Sequence, residues 1–365
     1  MTGSQVNRID AIDAFRGLAI AGMILVNTPG SWAHVHPLLQ HAEWNGISGA
    51  DLVFPFFLFI SGTAMFFSLR KHGAGLSSRF LKKMLVRVAV IFAAGVFLNA
   101  FPFRQSISDI RIMGVLQRIA LAWGIASILC MYLRRRDLII ISVCILIAYW
   151  IILSSTGDFS LWNNAVRAVD LRVLGEGHLW TGRGIPFDPE GLLSTVPAAV
   201  TVITGYLSGS VIVNSGRTSR MLLVSGVISA VLGIVWSPFQ PINKSLWTGS
   251  YVLLTSGTAG IVLALFYFVT EIRGWDKQVM PLKVFGRNPL LLYLLSSLWV
   301  QTMVYLVRFS NQEGEQITAY SWIYRELIVP AAGETFGSLL FSLLHLLLFW
   351  LILYPLYRRK IFVSV

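Results

Sequence analysis

The stretch Arg134-Arg135-Arg136-Asp137 followed by Leu138–Ser154 (LIIISVCILIAYWIILS) decides the fold. Its 17 residues after the charged cluster contain no Asp, Glu, Lys, Arg or His. As a helix rising about 1.5 Å per residue they reach about 25 Å, close to the thickness of bilayer hydrocarbon. Only a structure that satisfies every backbone polar group internally can cross that layer, and for one isolated apolar run that structure is the α-helix.

The same alternation of apolar run and charged break extends in both directions. Apolar spans are read at 15–33, 49–69, 84–101, 113–133, 138–154, 191–213, 221–236, 247–270, 285–307 and 336–356. They predict an all-α polytopic membrane bundle of about ten transmembrane helices, a single domain over 1–365 with no separate soluble domain. Of all residues 55% are hydrophobic and 13% charged, where a soluble chain carries about 25% charge. Residues 1–14 are polar and no small-residue cleavage pattern follows, so the first apolar run reads as a retained anchor rather than a signal peptide.

The net charge of +12 would suit a nucleic-acid binder, but its distribution excludes that partner. Of the 29 Lys and Arg residues, 20 fall at the N-terminus, in alternate connections (70–87, 134–136, 217–220, 273–287) and in Arg358-Arg359-Lys360. This is the pattern of cytoplasmic loops, and it predicts that the N- and C-termini are cytoplasmic. Cys130 and Cys144 both lie within spans and read as packing residues, with no disulfide framework or metal site.

Polar groups at the edge of a bilayer need a partner or a task. The densest cluster joins the first two spans: Asn27, His34, His36, His41, Glu43, Trp44, Asn45 and Asp51. Asp51 is either a carboxylate favoured at a helix N-terminus or the orienter of a nearby histidine. His41 can act as a base near neutral pH, or be an interfacial imidazole without a task. The spacing of the three histidines matches no common helical pair of metal ligands. A second cluster holds Asp109, Arg111, Gln117 and Arg118; the guanidinium of Arg118 either pairs with Asp51 or Asp109 or binds an anionic ligand. A third comprises Asp188 and Glu190, then Asn243 and Lys244. Gly286-Arg287-Asn288-Pro289 opens the ninth span, where an arginine at a helix N-terminus either holds phosphate or anchors the span.

Several of these segments together resemble the transmembrane N-acetyltransferases typified by heparan-alpha-glucosaminide N-acetyltransferase. They are Arg8–Gly17 (RIDAIDAFRG), Val26-Asn27, His41–Gly46 (HAEWNG), Ala50–Pro55 (ADLVFP), Gly114–Ile119 (GVLQRI), Asp188–Leu192 (DPEGL) and Pro241–Trp247 (PINKSLW). The resemblance runs from residue 8 to about 290, and its HAxWNG and ADLVFP blocks are the specific ones. It implies acetyl transfer from cytosolic acetyl-CoA, as cosubstrate, to the amine of a glucosamine-type acceptor on the extracytoplasmic side. His41 is implied as the active histidine, with Asn27 beside it. Such a histidine either removes the amine proton during direct attack or itself accepts the acetyl group, and Asp51 is the candidate to set its tautomer. Arg118, Lys244 and Arg287, with Gln117 and Asn288 near them, are the candidates to hold CoA. Trp44, Asn45, Asp188, Glu190 and Asn243 are the candidates to hold the acceptor. The resemblance also suggests a homodimer. No luminal domain precedes the first matched span, which points to a bacterial inner-membrane enzyme acting on a periplasmic amino sugar.

The rival reading is a secondary transporter of a sugar or small anionic metabolite. Proline-broken spans would suit one, and Pro55, Pro197 and Pro289 offer the breaks.

Overall fold

The computed structural model describes residues 9–71, 78–311 and 314–363. Arg8 of the RIDAIDAFRG segment, part of the basic 70–87 connection and part of the 308–335 connection lie outside the described residues. Each of the ten expected spans falls on a helix. These are α1 (Asp10–Asn27), α2 (Val53–Lys71), α3 (Ser78–Ala100), α4 (Val115–Tyr132) and α5 (Arg135–Ser155). A short helix, α6 (Ala165–Leu174), precedes α7 (Leu192–Asn214), α8 (Thr218–Trp236) and α9 (Gly249–Tyr267). Beyond α10 (Asp276–Arg287) come α11 (Pro289–Tyr305), the short α12 (Ala319–Trp322) and α13 (Val329–Ala332), and finally α14 (Glu334–Arg358). Among the described residues seven helices are long and apolar enough to cross a membrane, and α11 is a shorter apolar one. A two-stranded antiparallel hairpin, β1 (Arg308–Ser310) with β2 (Gln316–Thr318), sits in the last long connection, with Phe309 opposite Ile317.

Both ends of the first span and the start of the ninth differ from the sequence expectation, for local chemical reasons. Hydropathy puts the first span at 15–33, but α1 begins at Asp10 and stops at Asn27. Pro29 denies helical backbone to Thr28, which sits at φ −127° and ψ 46°. The start moves into polar sequence because Asp10 and Asp13 are paired with Lys283 (2.7 Å) and Arg287 (2.8 Å) respectively. The ninth span likewise starts later than expected. Arg287 ends the amphipathic α10, and Pro289, which lacks an N–H, occupies the first position of α11.

The bundle closes through backbone approach at small residues. A Cβ on Gly62 of α2 would lie 1.9 Å from the Val202 carbonyl oxygen, and one on Gly205 of α7 would lie 1.8 Å from that of Phe59. Only glycine lets these helices touch, the usual basis of helix association where lipid removes the hydrophobic drive. Outward faces are apolar instead of polar: Ile139, Val143, Ile147 and Ile151 of α5 are exposed at four-residue spacing. Of the three prolines that suggested broken helices, Pro55 lies in the first turn of α2 and Pro289 begins α11; Pro197 is inside α7.

Because the helices alternate in direction, one end of the bundle gathers α10, the start of α1 and the end of α14. The other gathers the connections 28–52, 101–114, 156–191, 237–248 and 306–333.

Candidate active site

At the second end, the eleven residues from His41 to Asp51 are folded around one carboxylate. Asp51 lies in the 3-10 turn Ala50–Leu52 that leads into α2, and its side chain is buried. Oδ2 accepts from the Ala42 N–H, the Ser48 N–H and the Ser48 hydroxyl, each at 3.0 Å. Oδ1 accepts from His41 Nδ1 at 2.7 Å and from Lys244 Nζ at 3.2 Å. Asp51 therefore stands at the approach to a helix and within hydrogen-bond distance of His41. An imidazole that donates through Nδ1 keeps its lone pair on Nε2, the arrangement that prepares a histidine base. The Asp51 carbonyl is itself fixed by the Tyr251 hydroxyl at 2.6 Å.

Lys244, one of the candidates to hold CoA, lies beside this pair, with Nζ 3.2 Å from Asp51 Oδ1 and 3.1 Å from His41 Nδ1. Burial pulls its ammonium below the ordinary value, and the attraction of Asp51 opposes that pull.

Trp44, Asn45 and Asn243 form the neighbouring wall. Asn243 Nδ2 donates to the Trp44 carbonyl and to Asn45 Oδ1, both at 3.0 Å. Trp44 Nε1 donates to the Phe159 carbonyl at 2.7 Å, and Arg183 lies over its ring at 5.2 Å. These bonds hold the HAEWNG loop against segments more than a hundred residues away in sequence, which fixes the imidazole from behind.

Asp188 and Glu190 do not join this group. Arg111 takes Asp188 in a two-point contact (2.8 Å twice) and Glu190 at 2.6 Å. Burial alone would lower the Arg111 guanidinium, but the two carboxylates raise it above its ordinary value. Arg118 pairs with neither Asp51 nor Asp109. It is fully buried, donates to the Gly191 carbonyl and the Ser194 hydroxyl, and lies 4.9 Å from the Trp247 ring centre. Its Nε and Nη1 have no partner among the described residues. Gln117 is equally buried, donating to the Ile112 carbonyl. The three histidines take separate partners: His34 meets Glu334 at 2.8 Å and His36 accepts from the Leu38 N–H. Among the described residues no group of His, Cys, Asp and Glu could hold a metal ion.

Beside Arg118, on the long connection, Asp170 is a buried carboxyl that no sequence motif marks. Oδ1 accepts from the Leu192 N–H at 2.8 Å, and Oδ2 has no partner among the described residues. Burial pushes the group up from 3.8 to about 7, assisted by Asp188 and opposed by the Leu192 N–H and Arg118. Between these values the folded protein keeps a proton that the unfolded chain has released, so stability falls as pH rises through that window. Asp170→Asn is therefore expected to raise the thermal midpoint of detergent-solubilised protein at pH 8, with the two proteins converging near pH 4. Equal midpoints at both pH values would count against a protonated Asp170.

Two cavities run along α1 and α11. The larger, about 460 Å³, lies toward the end that holds the start of α1 and is lined by Arg16, Arg87, Arg287, Trp123, Phe362 and Tyr293, among others. The smaller, about 270 Å³, includes Asn27, Ser296, Ser297 and Gln301. Met23 and Tyr293 line both, so the two spaces abut inside the bundle. Asn27 thus faces this inner space and makes no hydrogen bond to His41. Arg287 lines the larger cavity, whereas the side chain of Asn288 donates to the Ile361 carbonyl (3.1 Å) and accepts from the Val363 N–H (2.8 Å). Sequence reading misses Arg16 and Arg87, whose convergence with Arg287 depends on three helices meeting.

Comparison with known proteins places this sequence in a family. The chain is 28% identical over 358 residues to heparan-alpha-glucosaminide N-acetyltransferase of Mus musculus, covering 80% of this chain and 53% of that protein. It is 27% identical over 354 residues to the protein of that name in Homo sapiens, covering 79% and 52%. The chain spans about half the length of the curated relatives it matches. Residues 8–222, which contain His41, Asn27 and Asp51 but not Lys244 or Arg287, match the family described as heparan-alpha-glucosaminide N-acetyltransferase, catalytic, and this chain, an integral membrane protein, belongs to that family.

Proposed function

We propose that this protein transfers an acetyl group across the bilayer from cytoplasmic acetyl-CoA to the amine of an amino sugar at the opposite face. The observation that carries the reading is the 2.7 Å bond between His41 and the buried carboxylate of Asp51, inside the family-matched segment. The neutral acceptor amine attacks the thioester carbonyl carbon, and as the N–C bond forms Nε2 of His41 takes the proton that the nitrogen loses. The C–S bond then breaks. The departing CoA thiolate receives the proton back from His41. Asn27 donates a hydrogen bond to the carbonyl oxygen as its negative charge grows.

The donor enters the larger cavity, its phosphates toward Arg16, Arg87 and Arg287. Its acyl arm passes Met23 and Tyr293 into the space beside Asn27. Lys244 and Arg118 are reassigned from donor binding to support of the His41 end. Trp44, Asn45 and Asn243 border the acceptor, and Asp188 with Glu190 shape its approach through Arg111. The 20 basic residues on the terminal side of the chain support placing that side in the cytoplasm, with the bacterial inner membrane as the setting.

The test is purified protein in liposomes with acetyl-labelled acetyl-CoA and glucosamine. Labelled N-acetylglucosamine is expected, and labelled protein is not expected when the acceptor is omitted. Uptake of unmodified sugar without acetyl product would overturn the reading in favour of transport.

A further inference from the structure

Beyond α14 the chain turns back on itself. Lys360 adopts φ +56°, in the left-handed region, and the Ile361 N–H donates to the Leu356 carbonyl at 2.9 Å, a pairing that closes the helix and reverses the chain. A left-handed backbone is disfavoured for lysine, so the reversal needs support from the residues beyond it. That support comes from the buried side chain of Asn288. Its amide donates to the Ile361 carbonyl and its oxygen accepts from the Val363 N–H, pairing with residues 361–363 as a neighbouring strand would. The pinned segment carries Phe362 and Val363 into the wall of the 460 Å³ cavity.

The chemistry facing that cavity is unusual for a lipid-embedded bundle. Arg287 lies over the Phe362 ring at 5.3 Å, and Arg87 over the Trp123 ring at 4.6 Å. With Arg16, three guanidinium groups border one space together with the aromatic rings of Phe57, Trp123, Tyr293 and Phe362. Arg16 and Arg287 share Asp13 (3.6 and 2.8 Å) and Arg287 also reaches Asp10 (3.8 Å), whereas Arg87 has no carboxylate within ion-pair distance among the described residues. Cations in excess of carboxylates select an anion, and a flat ring beside them selects a flat base. Together they describe a phosphorylated nucleoside better than a simple phosphate or a lipid chain.

We propose that residues 361–363, held by Asn288, are a working part of the donor site, with Phe362 the face on which the purine base of the donor stacks. The inference rests on the acetyl-CoA reading above and assigns a segment outside the family-matched residues to it. Asn288 acts here as a positioning residue and Phe362 as the contact.

The experiment compares two donors that carry the same thioester, acetyl-CoA and acetylpantetheine, which lacks the nucleotide. The ratio of kcat/KM for acetyl-CoA to that for acetylpantetheine is expected to fall about tenfold in Phe362→Ala, the scale of one lost aromatic–base stack, and similarly in Asn288→Ala. An unchanged ratio in Phe362→Ala overturns the proposal. Should Asn288→Ala fold poorly, Phe362→Ala, whose side chain is partly exposed, carries the test alone. Thermal stabilisation by unreactive CoA, which needs no turnover, separates this inference from the one beneath it. If CoA does not stabilise the unmodified protein, the acetyl-CoA reading fails. If CoA stabilises the unmodified protein and Phe362→Ala equally, only the assignment of Phe362 fails.

Discussion

His41→Ala is expected to lower acetyl transfer from acetyl-CoA about a thousandfold, within the range general-base catalysis supplies. The imidazole keeps Nε2 as a basic nitrogen, because Nδ1 is committed to Asp51. Its removal should cost little stability. The side chain is a third exposed, and Asp51 keeps its bonds to Ala42, Ser48 and Lys244. The thermal midpoint should therefore stay close to that of the unmodified protein, and stabilisation by CoA should be retained. A variant that keeps its fold and more than about a tenth of the turnover would remove His41 from the chemistry.

Asp51→Asn is expected to approach the same loss by a different route. The amide nitrogen would replace one carboxylate oxygen, and Oδ2 is already committed to three donors. The lowest-cost orientation keeps an oxygen there and turns the NH2 group toward His41 and Lys244. Nδ1 of His41 must then accept instead of donating, which moves its proton to Nε2 and blocks the lone pair needed for the amine. In a serine-protease triad the equivalent change lowers kcat by about 10⁴, so a loss of about 10²–10⁴ is expected here. Lys244 would also face a donor instead of a carboxylate. The decisive measurement is the double variant: if the two residues act as one unit, His41→Ala with Asp51→Asn is no slower than His41→Ala alone. Additive losses would mean that Asp51 acts independently of the imidazole.

The His41–Asp51 pair is within reach of the sequence because only ten positions separate the two residues, and the loop between them is too short to let them part far. Lys244 is not, since it arrives from 193 residues away, and a lone lysine after a span end reads equally well as a phosphate ligand. Arg118 illustrates the opposite error. An arginine inside an apolar run demands an ion pair, and both carboxylates proposed for it are occupied or exposed. Its charge is met by a hydroxyl, a carbonyl and the face of Trp247. Asp188 and Glu190 look like free carboxylates at a span entrance, but Arg111 ties them to the preceding connection.

The sequence by itself determined that this chain crosses the bilayer, roughly where, and which of its connections share an end. Those properties depend on transfer of short segments between water and hydrocarbon, a local quantity that can be summed along the chain. It also marked the loop in which the chemistry is proposed. Only the tertiary structure decided which helix faces meet, and hence that Arg16, Arg87 and Arg287 border one cavity and that the chain after α14 completes its wall. In a soluble helix a polar face would have pointed away from the core. Here α2 and α9 are apolar on almost every side, lipid and core are equally dry, and the facing surfaces are chosen by backbone contacts such as Gly62 with Val202 and Gly205 with Phe59.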